Sequence, residues 1–278
     1  MSLQTVEERI EAALPSMPGW CTVEKGKRVA ALTYGAELCV ELGVFGGRSL
    51  FAIGLALADQ GSGRADGVDP YTASASLEGV NDPANDEWWS TVPYGEIADY
   101  AEAMLQNASL ADRVRIVRKR SADAVADYAD GSIDLLHQDS NHSEAVSCEE
   151  VVLWAPKVRP GGTWIFDDAN WPSTQAAQRM LLDRGFTLEE DYGAWRVFHA
   201  PGNLLEATYR AMDREHLGGT GHAVVAKDGV RAIMFGCASR EDAEGLAELL
   251  SRSRFVRAWA VSHELREAPA PEREEVAR

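Results

Sequence analysis

The sequence predicts a doubly wound α/β fold, with a mostly parallel seven-stranded sheet, an antiparallel last strand and helices on both faces. Three observations carry this. Short apolar runs bounded by turn residues alternate seven times with stretches of helical length between residues 36 and 200. The first such run is followed by a glycine turn and then an apolar helix. The last two runs are joined by a tight turn at Tyr192-Gly193.

Taken in order, residues 5–14 read as an amphipathic helix ended by Pro15 and Pro18, and residues 25–34 as a second helical stretch. Glu37 to Leu42 is a buried-strand run, Gly43-Val44-Phe45-Gly46-Gly47-Arg48-Ser49 the turn, and 50–58 the helix behind it. A second strand at 65–69 ends on Asp69. The polar and aromatic segment 70–93, with Trp88-Trp89, reads as a loop or lid, because unstructured connections above ~12–15 residues are usually functional or mobile. Helix 94–106, strand 114–117, short helix 122–129, strand 133–137 and helix 143–154 follow. Pro160-Gly161-Gly162 then leads into strand 163–166, helix 173–184, and strands 186–190 and 195–199. The organisation expected is an N-terminal helical segment (1–35), a core domain (36–200), a small α+β extension (201–265) and a disordered tail (266–278) rich in Pro, Glu and Arg. Within the extension, helices at 204–214 and 239–251, a hairpin of 222–226 with 230–235, and a strand at 254–261 are expected.

Composition narrows the function. The 278 residues carry 27 Lys+Arg against 44 Asp+Glu, a formal charge of −17. Such a field repels phosphate backbones and anionic lipid, so nucleic acid and membrane are poor partners. No stretch reaches the ~20 apolar residues of a membrane span, and the acidic, amphipathic N-terminus is no signal sequence, so a cytoplasmic protein is expected; a homo-oligomer is the expected assembly. The basic run Arg113 to Arg120 is the local exception and reads as an exposed strand edge. Cys21, Cys39, Cys148 and Cys237 are far apart without a CxxC pair, which suggests buried thiols rather than a zinc site or a disulfide framework.

Local chemistry limits what the glycine turn binds. A Walker loop needs four residues between its glycines and then Lys, whereas Gly43 and Gly47 enclose three and Arg48 follows. A dinucleotide fingerprint would need glycine where Glu41 stands, and a carboxylate beside a pyrophosphate is repulsive. An acid there suits a cationic ligand instead. Glu41-x-Gly43-x-x-x-Gly47, Asp69 on the next strand, Ser121 after the third strand, and Pro160-Gly161-Gly162 before the fifth resemble, in order and spacing over residues 36–200, the class I S-adenosylmethionine-dependent methyltransferases. The resemblance implies a cofactor site of Glu41, Gly43, Gly46, Gly47, Ser49, Asp69, Ser121 and Asp139, with Asp69 on the ribose. The competing reading makes Glu41 and Asp69 ordinary strand-end caps of an unrelated α/β fold.

In the strand order of that class the fourth and fifth strands are neighbours, so Asp139 and His142 after one meet Asp167 and Asp168 after the other. Adjacent residues on a strand face opposite ways, so Asp167 and Asp168 share a centre only where the strand breaks into loop. Three crowded carboxylates repel unless a proton or cation intervenes, and a hard divalent ion, Mg²⁺, satisfies them. The pattern resembles the metal-dependent O-methyltransferases of the macrocin and cephalosporin-cluster type. That implies a metal on Asp139, Asp167 and Asp168, with His142 as general base and Asp139 beside it in catalysis, acting on the hydroxyl of a small-molecule acceptor in specialised metabolism. Ser140-Asn141 and Ala169 depart from that family's usual residues. Simpler roles are helix caps for Asp167-Asp168, a surface position for His142, and a core position for His137. Trp88, Trp89 and Trp171 either stack a flat acceptor or pack a lid down. A metal-independent N- or C-methyltransferase, and a non-catalytic binding or assembly subunit, are the remaining alternatives.

Overall fold

A computed structural model of the chain describes residues 4–202 and, beyond them, the backbones of three strands. Helix α1 (Val6–Ala13) opens on a capping box: the Thr5 hydroxyl accepts from the Glu8 N–H while the Glu8 carboxylate accepts from the Thr5 N–H. Helix α2 (Val23–Thr33) is capped by Thr22 and buries Lys25, Gly26, Val29, Ala30 and Thr33 along one stripe. The core follows as β1 (Leu38–Leu42), α3 (Arg48–Gln60), β2 (Arg64–Val68), α4 (Ala73–Ser76), α5 (Pro83–Ser90), α6 (Tyr94–Asn107), β3 (Val114–Val117) and α7 (Ser121–Ala124). It continues with β4 (Ile133–Gln138), α8 (Glu144–Trp154), β5 (Val158–Phe166), α9 (Gln175–Asp183), β6 (Thr187–Asp191) and β7 (Arg196–His199).

These strands form one sheet in the order β3-β2-β1-β4-β5-β7-β6. β1, β2, β3, β4 and β5 are parallel, and β7 runs antiparallel to both β5 and β6. The reversed strand is therefore last in sequence but lies inside the sheet edge. Side-chain alternation divides the interior into two cores. Cys39, Leu135, Ile165 and Val197 face α1, α2, α3 and α6, through Ile10, Val29, Leu50, Ile53 and Ala101. Leu38, Val40, Leu42, Leu136, Trp164 and Phe198 face α8 and α9, through Val151, Trp154, Ala177 and Leu181. The N-terminal helices expected as a separate segment thus close one face of the sheet.

Two expectations change. The segment 70–93 is not a plain loop, because Asp82 caps the Ala84 N–H and Pro83 occupies the first helical position of α5, which carries Trp88 and Trp89. Strand β5 starts before Pro160-Gly161-Gly162, and the pairing register shifts between Ile133 and Leu135 on β4, so the two glycines sit in an irregularity rather than ahead of the strand. Four of the five basic side chains in the run are paired with acids: Arg115 forks onto buried Asp66 at 2.6 and 2.9 Å, Arg118 meets Glu102, Lys119 meets Asp127 and Arg120 meets Glu78, while Arg113 donates to the Gly61 and Gly63 carbonyls.

A second compact unit contains β8 (His222–Asp228), β9 (Arg231–Cys237) and β10 (Arg257–Ser262) in an antiparallel sheet ordered β10-β8-β9. The expected hairpin and last strand are there. The helices expected at 204–214 and 239–251, and the tail 266–278, lie outside the described residues. Among the described residues, no helix is long and apolar enough to cross a membrane. Cys21 and Cys39 are buried thiols, and burial pushes Cys21 up to about 12.

The packing makes one quantitative statement. Leu136, fully buried at the centre of β4, has helices over its face. Leu136→Ala is expected to lower the unfolding free energy by about 2–5 kcal/mol in urea titration, and a loss below about 1 kcal/mol contradicts this packing.

Candidate active site

A cavity of about 810 Å³ opens where the parallel strands end, lined by Gly43 and Val44 after β1, Asp69 after β2, Asp139 after β4 and Asp167 after β5. This is where open α/β sheets bind ligands, and the volume lies within the usual ~300–1,000 Å³ of small-molecule pockets.

The turn after β1 fits its neighbours only as glycine. A Cβ at Gly43 meets the Asp139 carbonyl oxygen at 2.0 Å, and one at Gly46 meets the Pro18 carbonyl oxygen at 2.3 Å. Gly47, left-handed at φ +79°, starts α3. Asp69 grips this turn: one oxygen accepts from Val44 N (2.9 Å) and Phe45 N (3.1 Å), the other from Tyr71 N (2.7 Å). Burial nonetheless raises the Asp69 carboxyl above its usual range. The residue expected on a ribose therefore braces the loop.

Glu41 corrects a sequence expectation. It does not line the cavity, is completely buried, and spends its oxygens on Ser49 Oγ (2.9 Å) and His137 Nδ1 (3.3 Å). Burial pushes its carboxyl up to about 8, so near neutrality it holds a proton and offers no negative charge to a cationic ligand. Ser49 faces the cavity in its place. Ser121 also lines the cavity, and its hydroxyl bonds Glu150.

The acids after β4 and β5 come together in two overlapping groups, and not in the single Asp139-Asp167-Asp168 set expected from the sequence. Glu41 and His137 are cross-strand partners on one sheet face, and Asp139 and Asp167 continue that face beyond the strand ends. Asp168 leaves it through a left-handed backbone, φ +48°, which turns its carboxylate to within 2.6 Å of His142 Nε2. Two overlapping ligand sets result, His137-Asp139-Asp167 and Asp139-His142-Asp168, whose donor atoms lie within 4.8 Å of one another in each set. The carboxylate oxygens at that spacing suit a hard divalent ion, with Asp139 common to both sets, whereas the imidazole in each set is a donor for softer metals. Burial raises the Asp139 carboxyl, while Lys25, His137 and His142 oppose the rise. For His142, burial works against the imidazolium but Asp168 and Asp139 more than reverse it, so the ring titrates above its ordinary value. His137 is held down to about 3 by burial and by Lys25, and stays neutral, in keeping with a core position.

Residues 40–169, which contain the glycine turn, Asp69 and all of the acid cluster, match the family model described as a methyltransferase domain. These residues read as a methyltransferase domain. Among solved structures, the O-methyltransferase NovP is similar at 16% identity and a TM-score of 0.52, over 66% of this chain and 83% of NovP. TomG from Streptomyces achromogenes, an O-methyltransferase solved with S-adenosylmethionine, gives 17%, 0.48, 72% and 92%. An O-methyltransferase from Bacillus cereus, solved with S-adenosylhomocysteine, gives 18%, 0.46, 72% and 92%. Likeness at such identity speaks to the fold. No curated protein matches the sequence.

The methyltransferase domain also uses residues that sequence reasoning missed. Lys25, from α2, is buried and ion-paired with Asp167. Its signal was a lysine on the apolar stripe shared with Val29 and Ala30. Glu150 is fully buried in the cavity wall, held by Gln138 Nε2 (3.0 Å) and Ser140 Oγ (2.7 Å), and burial raises its carboxyl. Arg48, standing where a Walker lysine would, donates to the carbonyls of Met17 (2.8 Å) and Cys21 (3.1 Å), and so holds residues 17–21 over the turn. That places Trp20 against Phe45 (5.1 Å) and Trp88 (5.1 Å), with Trp89 4.8 Å from Trp88. On the opposite side Trp171 packs 5.0 Å from His142.

Asp69→Asn tests the turn. The amide puts a donor against backbone N–H groups, so a stability loss of about 1–3 kcal/mol is expected. S-adenosylhomocysteine should bind at least tenfold more weakly by calorimetry; unchanged stability together with unchanged binding rules out the bracing role.

Proposed function

We propose that the domain transfers the methyl group of S-adenosylmethionine to a hydroxyl of a small acceptor. His142 acts as general base, a divalent cation is held by Asp139, Asp167 and Asp168, and Gly43, Gly46, Gly47, Ser49, Asp69 and Ser121 form the cofactor wall. The observation that carries this reading is the placement of His142 Nε2 among the acids, 2.6 Å from Asp168 and 4.0 Å from Asp139, in the cavity that the glycine turn also lines. Cofactor and acceptor are thereby held in one space.

The chemistry is an in-line displacement. The acceptor oxygen forms a bond to the methyl carbon as the carbon–sulfur bond breaks, its electron pair stays on sulfur, and the hydroxyl proton passes to His142 at Nδ1, since Nε2 is engaged by Asp168. The products are a methyl ether and S-adenosylhomocysteine. Asp168 fixes the imidazole ring and stabilises the imidazolium formed during transfer. Trp171 packs against the same ring and limits its movement. Glu41, protonated and hidden behind Ser49, keeps charge away from the sulfonium side, where a negative group would favour the cofactor's ground state over a transition state that is losing positive charge. A divalent cation bound here supplies Lewis acidity that lowers the pKa of the acceptor hydroxyl. The exposed faces of Trp20 and Trp88, 65% and 43% accessible, favour a flat, apolar acceptor that stacks beside the cluster.

Product mass is decisive, since O-methylation adds one methyl group on oxygen and a product methylated on nitrogen or carbon contradicts the reading. His142→Ala is expected to lower kcat by about 10²–10⁴-fold while calorimetry still shows S-adenosylhomocysteine binding. Dialysis against EDTA is expected to abolish turnover and Mg²⁺ to restore it; undiminished turnover in EDTA removes the metal from the proposal.

A further inference from the structure

The acid cluster already holds a cation, and it does not come from the strands. Lys25 projects from the first turn of α2, where the Thr22 hydroxyl accepts from its backbone N–H at 3.1 Å. Its side chain is 6% exposed and its ammonium is ion-paired with Asp167 Oδ2, the oxygen that also lies 3.5 Å from His137 Nε2. The pair forms because α2 covers the sheet face on which Glu41, His137, Asp139 and Asp167 follow one another. A carboxylate buried to this degree needs a positive partner or a proton, and here the chain supplies the partner.

We infer that Lys25 is the resident counter-cation of the cluster, holding Asp167 in place in the ion-free protein and competing with a divalent ion for its Oδ2. The inference rests on reading Asp139, Asp167 and Asp168 as ligands. Two cations drawn to one carboxylate oxygen in a poorly solvated pocket repel, and with an effective dielectric near ~20 a unit and a double charge about 5 Å apart oppose each other by more than tenfold in affinity. The ammonium has somewhere to go. The Trp195 ring, which also lines the cavity, has its centroid 5.9 Å from Nζ, and an aromatic face is a favourable alternative to the carboxylate. Lys25 thus sets how tightly the ion is held and links α2 to its arrival.

The test is calorimetric titration of Mn²⁺ into full-length, EDTA-stripped protein, comparing wild type with Lys25→Met and Lys25→Arg. Lys25→Met is expected to bind the ion at least about tenfold more tightly than wild type, because the competing charge is gone, and Lys25→Arg to stay near wild type. In EDTA, Lys25→Met should melt at a lower temperature than wild type, and Mn²⁺ should recover more of its melting temperature than it adds to wild type. Should Lys25→Met fail to fold, Lys25→Gln carries the same expectation. Equal or weaker Mn²⁺ binding by the neutral variant, with wild type binding normally, overturns the competition and leaves the metal reading intact. Absence of Mn²⁺ binding in every protein overturns the metal reading and this inference with it.

Discussion

The site depends on how closely the ends of β1 and β4 approach each other. In the parallel register Leu42 pairs with Gln138, and the ladder continues one step further as the Asp139 N–H donates to the Leu42 carbonyl at 2.8 Å. Gly43 therefore lies against the Asp139 backbone, where a Cβ at Gly43 meets the carbonyl oxygen at 2.0 Å. No residue with a side chain fits without prying the strands apart. Because the glycine is there, the turn after β1 and the loop that carries the first acid share one wall of the cavity.

Behind that wall runs a line of polar groups that the alternation of the sheet explains. Ser49 donates to Glu41, Glu41 meets His137, His137 approaches Asp167, and Asp167 pairs with Lys25. Glu41, His137 and Asp167 all fall on the face covered by α2 and α3, so the row arises from register and not from loop geometry. With Glu41 near 8 and His137 near 3, its middle is neutral around pH 7, and the row ends in the Lys25–Asp167 ion pair. A buried polar row with its partners supplied fixes side-chain positions at little cost in unpaired charge.

What could be read in advance follows the range of the interactions. The glycine turn was legible because its constraint is local, and strands β1 to β5 because their apolar runs match the period of a sheet buried on both faces. That Asp139 and His142 lie near Asp168 was legible once strand order was assumed, whereas the pairing of Asp167 with His137 was not. Lys25 was not, because its partner is 142 residues away and a lysine on a short amphipathic helix normally reaches solvent. Helix α5 was overlooked although Asp82-Pro83 is a standard helix start, because the polar composition of 70–93 outweighed a signal two residues long. The early start of β5 was hidden by Pro160-Gly161-Gly162, which reads as punctuation and here occupies an irregular stretch of strand.

The acids bear on the backbone as much as on any ligand. Phe45, Tyr71 and Asp168 have left-handed conformations at φ +48°, +49° and +48°, and all three line the cavity. Each non-glycine residue there is strained by about 1–2 kcal/mol and persists only where its surroundings hold it. A carboxylate does so every time: Asp69 accepts from the Phe45 and Tyr71 N–H groups, and Asp167 accepts from the Asp168 N–H at 3.1 Å. The Tyr71 hydroxyl adds a bond to the Phe45 carbonyl at 3.0 Å. Releasing Asp167 from Lys25 therefore has a consequence beyond charge. The same carboxylate that pairs with the lysine supports the turn aiming Asp168 at His142, so any cation taking the place of Lys25 acts on His142 through the backbone as well as through the field.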